Sequence, residues 1–158
     1  MKRQKKSYKT PTKPWNKQRI EREREILKTY GLRKKREIWK FETILRKFRR
    51  LARELAAKTN KEKESVLVNK IIKLGLLDQG ATLDDVLGMT LEKFLERRLQ
   101  TIIFKKGLAN SPKQARQFIV HGHVKIEDRK ITYPSYIVQR EEEDKIKVHI
   151  QPVKKVSA

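Results

Sequence analysis

Residues 38–55 repeat apolar side chains at intervals of three and four without a slip: Ile38, Phe41, Leu45, Phe48, Ala52 and Leu55. That spacing gathers all six on one stripe of an α-helix but scatters them over both faces of a strand. A helix is therefore predicted from about Lys34 to Lys58, packing along a single seam. It is too short for a long coiled coil, so the seam asks for a small helical bundle. The opposite face carries Lys35, Trp39, Arg46, Arg49, Arg50 and Arg53. A basic stripe with an aromatic in it is what phosphate binding and base stacking require. For Trp39, packing against a neighbouring helix stands beside stacking as a reading. For the arginines the alternative is a solvated face laced with Glu42 and Glu54, but two acids are too few to neutralise the stripe. RNA contact is favoured.

The whole chain shares this imbalance. Its 158 residues include 41 Lys or Arg against 19 Asp or Glu, a formal net charge of +22. A charge so far from zero opposes compaction and attracts polyanions. Residues 1–64 hold 24 basic and 8 acidic side chains, and the remainder 17 and 11, so most of the excess lies early. There is no cysteine, which removes disulfides, thiolate metal sites and Cys nucleophiles together. The three histidines lack metal-ligand spacing, so neither a metal nor a cofactor is predicted. No run approaches the ~18 apolar residues of a membrane span, and the N-terminus has no apolar signal region. A cytoplasmic protein with a nucleic-acid partner and no membrane contact is the expectation.

Residues 1–14 form a basic arm with Pro11 and Pro14 and no acid, predicted to be disordered until it meets a phosphate backbone. Residues 15–89 are predicted to be helical. Asn16 caps a first helix with Ile20, Leu27 and Tyr30 at helical spacing and Gly31 closing it. After the long helix and a polar stretch from Thr59 to Glu64, a third helix runs to about Leu74. Val66, Leu67, Ile71 and Ile72 are its expected core, and Gly75 its end. Thr82 with Asp85 reads as a capping box, opening a short turn that ends at Gly88. Asp84 and Asp85 then complement a helix dipole and are not a catalytic pair.

Residues 90–150 read as a compact unit of two helices and a small antiparallel sheet, with 151–158 as a tail. Thr90 caps one helix, with Leu91, Phe94, Leu95, Leu99, Ile102 and Ile103 on one face and Gly107 at its end. Lys93 and Arg97 point outward as phosphate contacts, and Lys105 and Lys106 at the helix's end are RNA-binding candidates with them. Arg98 falls beside the apolar face, where a half-buried pair with an acid and an RNA contact are equally open. Ser111 caps the second helix, with Pro112 at its first position and Gln114 completing the box. Ala115, Phe118 and Ile119 face inward. Lys113, Arg116, Gln117 and His121 lie on the outer and flanking faces. Alternating segments follow at Val124–Ile126, 130–132 and around Ile146, Val148 and Ile150, with a turn over 127–129 and the acidic run 141–144 in a later turn. The fold class is α+β.

Three runs resemble a known module: Gly107-Leu108-Ala109-Asn110-Ser111-Pro112-Lys113-Gln114-Ala115-Arg116, Gly122-His123-Val124-Lys125-Ile126 and Pro134-Ser135-Tyr136-Ile137-Val138. They are similar to the RNA-binding module named after ribosomal protein S4. The resemblance continues outside it. Tyr30-Gly31-Leu32-Arg33-Lys34-Lys35-Arg36-Glu37-Ile38-Trp39, Arg53-Glu54-Leu55 and Leu95-Glu96-Arg97-Arg98-Leu99-Gln100-Thr101 resemble the archaeal and eukaryotic branch of the S4 family. The N-terminal cysteines of some bacterial relatives are missing, so their zinc site is impossible here. Glu127-Asp128 stands where many modules have Asn-Gly, which leaves the hairpin geometry open.

The resemblance implies a structural, non-enzymatic constituent of the small ribosomal subunit that binds its rRNA directly. It nominates Ser111, Lys113, Arg116, Gln117, His121, His123 and Lys125 as module contacts, though His123 also suits a strand start that caps backbone groups. It further implies a role in early assembly and contact with small-subunit ribosomal protein five and other neighbouring ribosomal proteins. A place near the channel through which mRNA enters, affecting decoding accuracy, is implied too. Two other functions compete. An RNA-modifying enzyme carrying the module needs a catalytic domain, and only a basic helical region is left over. A free-standing RNA-binding stress protein would lack the match at residues 30–39.

Overall fold

A computed structural model of the chain describes residues 5–58 and 60–149. The first four residues of the arm, Thr59, Ile150 of the last expected strand and the tail 151–158 lie outside the described residues. The architecture is α+β: helices first, then a three-stranded antiparallel sheet.

Helix α1 (Lys17–Thr29) begins where the Asn16 side chain accepts the Arg19 N–H at 3.1 Å, and ends at Tyr30 before Gly31 in the left-handed region at φ +60°. Helix α2 (Lys35–Lys58) buries Ile38, Phe41, Leu45 and Ala52 and half-buries Phe48 and Leu55, so the seam packs as read. Helix α3 (Lys61–Lys73) starts earlier than expected because Asn60 caps it, accepting from the Lys63 N–H. Its inward face is turned too: Leu67, Val68 and Ile71 are buried, while Val66, expected in the core, is 68% exposed. Helix α4 (Leu83–Gly88) opens on Thr82, whose N–H donates to Asp85 Oδ2 at 2.8 Å, so Asp85 caps a helix as anticipated.

The single helix expected from Thr90 to Gly107 is two, α5 (Leu91–Glu96) and α6 (Leu99–Lys105), broken at Arg97 and Arg98. Residues 136–138 cross the break and supply the hydrogen bonds a continuous helix would have made. Leu99 N–H donates to Tyr136 O at 2.8 Å, Val138 N–H donates to Arg97 O at 3.0 Å, and Arg98 pairs with Ile137 as an isolated bridge. Backbone polar groups must find partners somewhere, and here a distant strand-like segment outcompetes the helix. The break also divides the core. Side chains up to Leu95 pack with α1–α4, and those from Leu99 onward pack with helix α7 (Pro112–Val120) and the sheet.

Ser111 caps α7, accepting the Gln114 N–H at 3.2 Å, but Gln114 reaches back to the N–H of Asn110, not to that of Ser111. Strand β1 (Val124–Ile126) is central, flanked by β2 (Arg129–Lys130) and β3 (Ile146–Val148). Ile126 pairs with Arg129, so the hairpin loop is two residues, Glu127 and Asp128, with Glu127 at φ +54°. The second strand is thus shorter than the expected 130–132. The acidic run forms a 3-10 helix over Arg140–Lys145 instead of a turn.

Candidate nucleic-acid interface

Charge on this molecule divides into cations that the fold uses and cations that it leaves free. The used ones meet at Glu37, in the first turn of α2. Arg98 Nη2 donates to Glu37 Oε2 at 2.8 Å, and Arg116 Nη1 lies 3.2 Å from both carboxylate oxygens. Arg98 has a side chain only 1% exposed, and its guanidinium sits 5.4 Å from the centre of the Phe41 ring. Burial tends to raise the Glu37 carboxyl, but hydrogen bonds and charge from the two arginines outweigh it and hold it below its usual value. The same burial lowers Arg98, against the support of Glu37.

This cluster joins the two cores, because Glu37 belongs to α2, Arg98 to the α5–α6 break and Arg116 to α7. Gln100 adds a second tie, donating to Gly31 O at 3.0 Å and Pro112 O at 2.8 Å. The two segments approach so closely there that a Cβ on Gly31 would lie 2.7 Å from Pro112 Cβ. Of the two readings open for Arg98, the buried ion pair is the one the structure displays.

Other candidates are also engaged. Arg97 does not point outward: Nη1 lies 2.5 Å from Glu143 Oε2, Nη2 donates to Val138 O at 2.9 Å, and the guanidinium backs onto Gly75. Arg49 sits nearer the seam than the stripe, and its Nη2 donates to Met89 O at 2.6 Å. Trp39 packs against α1, where Nε1 donates at 2.9 Å to the buried Glu23, while its ring lies 5.9 Å from that of Tyr8 in the arm. Lys35 reaches the same Glu23 at 3.2 Å. Lys106 bonds the Glu143 carbonyl and lies 3.4 Å from Asp144, and Lys105 is 3.3 Å from Glu96. Ser111 is committed to its cap. His123 donates its N–H to Phe118 O and accepts from His149, the backbone role foreseen for it.

What remains is exposed, apart from the half-buried Lys125. On α2, among the described residues, Arg46 and Arg50 pair only with Glu42 and Glu54 four residues away, and Arg53 makes one long contact with Arg49 O at 3.3 Å. On α7, Lys113, Gln117 and His121 are exposed at intervals of four, one ridge of the helix. The His121 ring lies 6.3 Å from the His123 ring, nearly parallel to it, which carries the ridge to β1 and Lys125. Lys93 is exposed on α5 with no ion pair among the described residues. These groups can bind phosphate without dismantling the fold.

Sequence reasoning passed over several exposed groups. Trp15 is 89% exposed just before α1, and Lys34, Arg36 and Lys40 stand exposed at the start of α2. The signal was available in the run Arg33 to Arg36, four cations at the end of a helix whose dipole disfavours them. Among the described residues, no group of three or more acidic or histidine side chains could hold a metal.

Comparison with known proteins covers both units. The family model described as ribosomal protein S4/S9 N-terminal domain matches residues 1–96, and the S4 domain model matches residues 97–144. The small ribosomal subunit protein uS4 of Methanococcus aeolicus is 57% identical over 145 residues, 89% of this chain and 82% of the relative. The uS4 proteins of Hyperthermus butylicus and Picrophilus torridus are 51% and 49% identical, each over 90% of this chain and 83% and 81% of their own lengths.

Proposed function

The chain belongs to the uS4 family of small ribosomal subunit proteins, and from that premise we propose that it binds small-subunit rRNA directly and orders it during early assembly. It is a structural constituent of the small ribosomal subunit and not an enzyme, as are the relatives whose whole length it nearly spans. No helix among the described residues is long and apolar enough to cross a membrane.

The observation that carries the rRNA reading is the sorting of cations. Arg97, Arg98 and Arg116 are held by acids inside the joint, whereas Lys113 on α7, in one row with the polar Gln117 and His121, and Arg46, Arg50 and Arg53 on α2 stay available. Long, flexible, solvent-facing cations supply affinity through counterion release, while the rigid joint fixes the relative placement of the two surfaces. Specificity then comes from complementarity to RNA shape, since the deep A-form groove is closed to side chains. Contact with small-subunit ribosomal protein five, a place near the channel through which mRNA enters, and an influence on decoding accuracy follow from the family resemblance and form part of this proposal. Cytoplasmic localisation follows from the subunit itself.

The test is sedimentation of a lysate from the host cell through a sucrose gradient, with the chain detected in each fraction. It is expected in the small-subunit peak, and to remain there when loose RNA is digested. Recovery only in light fractions would favour a free-standing RNA-binding protein.

A further inference from the structure

The chain's two tryptophans part as its arginines do. Trp39 is spent on the fold, donating Nε1 to the buried Glu23 at 2.9 Å. Trp15 is left out of it at 89% exposure, more than any other large apolar side chain among the described residues. A lone exposed apolar residue is ordinary on a protein surface. What singles out Trp15 is how it is held. The Pro14 ring fixes its own φ, and Pro14 O accepts Arg19 Nη2 at 2.8 Å. On the other side, the Asn16 side chain accepts the Arg19 N–H at 3.1 Å. The indole therefore stands between two residues that α1 anchors, in a shallow hollow of about 560 Å³ formed by residues 12–18.

We propose that Trp15 is a platform on which an unpaired nucleobase of the bound RNA stacks, an inference that rests on the RNA-binding reading above. A base in a loop or bulge has a free π face to lay on an aromatic ring, whereas paired bases are already stacked on each other. Charge selects a base over an apolar side chain of another protein. Lys13 and Lys17 flank the ring in sequence, and residues 1–20 contain no acid. Neither lysine has an ion pair among the described residues. Such a surface draws in a base because the phosphates joined to that base are attracted. Anchoring the ring beforehand adds to this, since less conformational freedom is lost when the base arrives. The contact reads the face of a base, which the exposed cations of α2 and α7 do not, and it places that base at the start of α1.

Binding of the full chain to transcribed small-subunit rRNA over a range of salt tests this with Trp15→Ala, Trp15→Phe and Trp15→Leu. Trp15→Ala is expected to lose at least about fivefold in affinity with an unchanged slope of log K against log salt, since a stacked ring goes and no cation does. Trp15→Phe should recover most of that loss, and Trp15→Leu, apolar but without a π face, should not. Unchanged affinity of the Ala variant overturns the platform and leaves RNA binding standing. Equal recovery by Leu and Phe reduces the contact to apolar packing and overturns it too. A loss seen on incorporation into whole small subunits but not with rRNA alone gives Trp15 to a neighbouring protein, and also overturns the proposal. A wild-type chain that binds unrelated RNA of the same length equally well overturns the RNA reading itself. If a variant melts early, fluorescence replaces affinity: the emission that wild type has and Trp15→Phe lacks should fall on adding rRNA, and an unchanged emission overturns the platform.

Discussion

Arg46 and Arg50 on α2 find their carboxylates one helical turn away, on the same exposed face, whereas Arg97, Arg98 and Arg116 reach acids 46, 61 and 79 positions distant in the chain. The local pairs form in any helix of that sequence and do nothing to select the tertiary fold. The distant pairs exist only in the tertiary fold, and the two at Glu37 only when both cores are assembled, so these two report on the joint. Exposure follows the same division: the side chain of Arg50 is 75% accessible and that of Arg98 is 1%. Charge density along a sequence therefore says how strongly a chain attracts a polyanion, but placement decides which cations can answer.

The largest difference between the two regions is expected on removing an acid. Glu37→Ala strands Arg98 in the interior without a counter-ion, which costs about 3–5 kcal/mol when a buried pair is broken from one side. Glu42→Ala frees the exposed Arg46 and should cost no more than about 1 kcal/mol. Urea denaturation of the two variants measures both. Similar losses would erase the distinction between joint and stripe.

Next comes the close approach of the two units. Gly31→Ala places a Cβ in the left-handed region and against Pro112, so about 1–3 kcal/mol of strain is expected. Gly80→Ala, at φ +86° with open space around it, isolates the backbone part alone. Only the excess of the first over the second belongs to the joint, and thermal melts of the two variants measure it. An excess of zero would mean that the joint yields freely there.

Acid should weaken the joint selectively. The Glu37 carboxyl is held below its usual value of 4.5 in the folded chain. The stability it contributes is therefore complete above that value and is lost as pH falls through the lower folded value. Wild-type stability should accordingly drop more steeply below about pH 4.5 than that of Glu37→Gln, which has no carboxylate to protonate. Parallel curves would show that Arg98 and Arg116 do not depend on the charge of Glu37.

What could be read ahead of the structure was local. The α2 seam, the Asn16 and Ser111 caps and the glycine ends depend on residues within a turn or two, and each was visible as spacing or as a capping pattern. The break at Arg97 and Arg98 was invisible because Leu91, Phe94, Leu95, Leu99, Ile102 and Ile103 suit a straight helix. It is set by residues 136–138, some forty positions on, which no periodicity of the helix records. The same holds for Arg97, read as outward because nothing local faces it, and claimed by Glu143. Arg49 was a subtler case, since its place on the wheel borders the seam and only the approach of Met89 decides its direction.

The smallest effect on stability is expected where the effect on RNA should be plain. Arg46→Gln/Arg50→Gln/Arg53→Gln removes two exposed pairs and one long backbone contact, so the change in unfolding free energy should stay within about 1 kcal/mol. If these side chains meet phosphates, the salt dependence of rRNA binding becomes shallower by up to about 0.9 per contact, while the melting temperature barely moves. The pairing energy does not oppose this outcome: an exposed carboxylate one turn away competes weakly with a multivalent polyanion that releases counterions as it binds. An unchanged slope would leave α2's outer face as a solvated surface and shift the RNA contacts to α7. A large loss of stability would show instead that the stripe supports the fold, and the contrast with Arg98 would be one of degree.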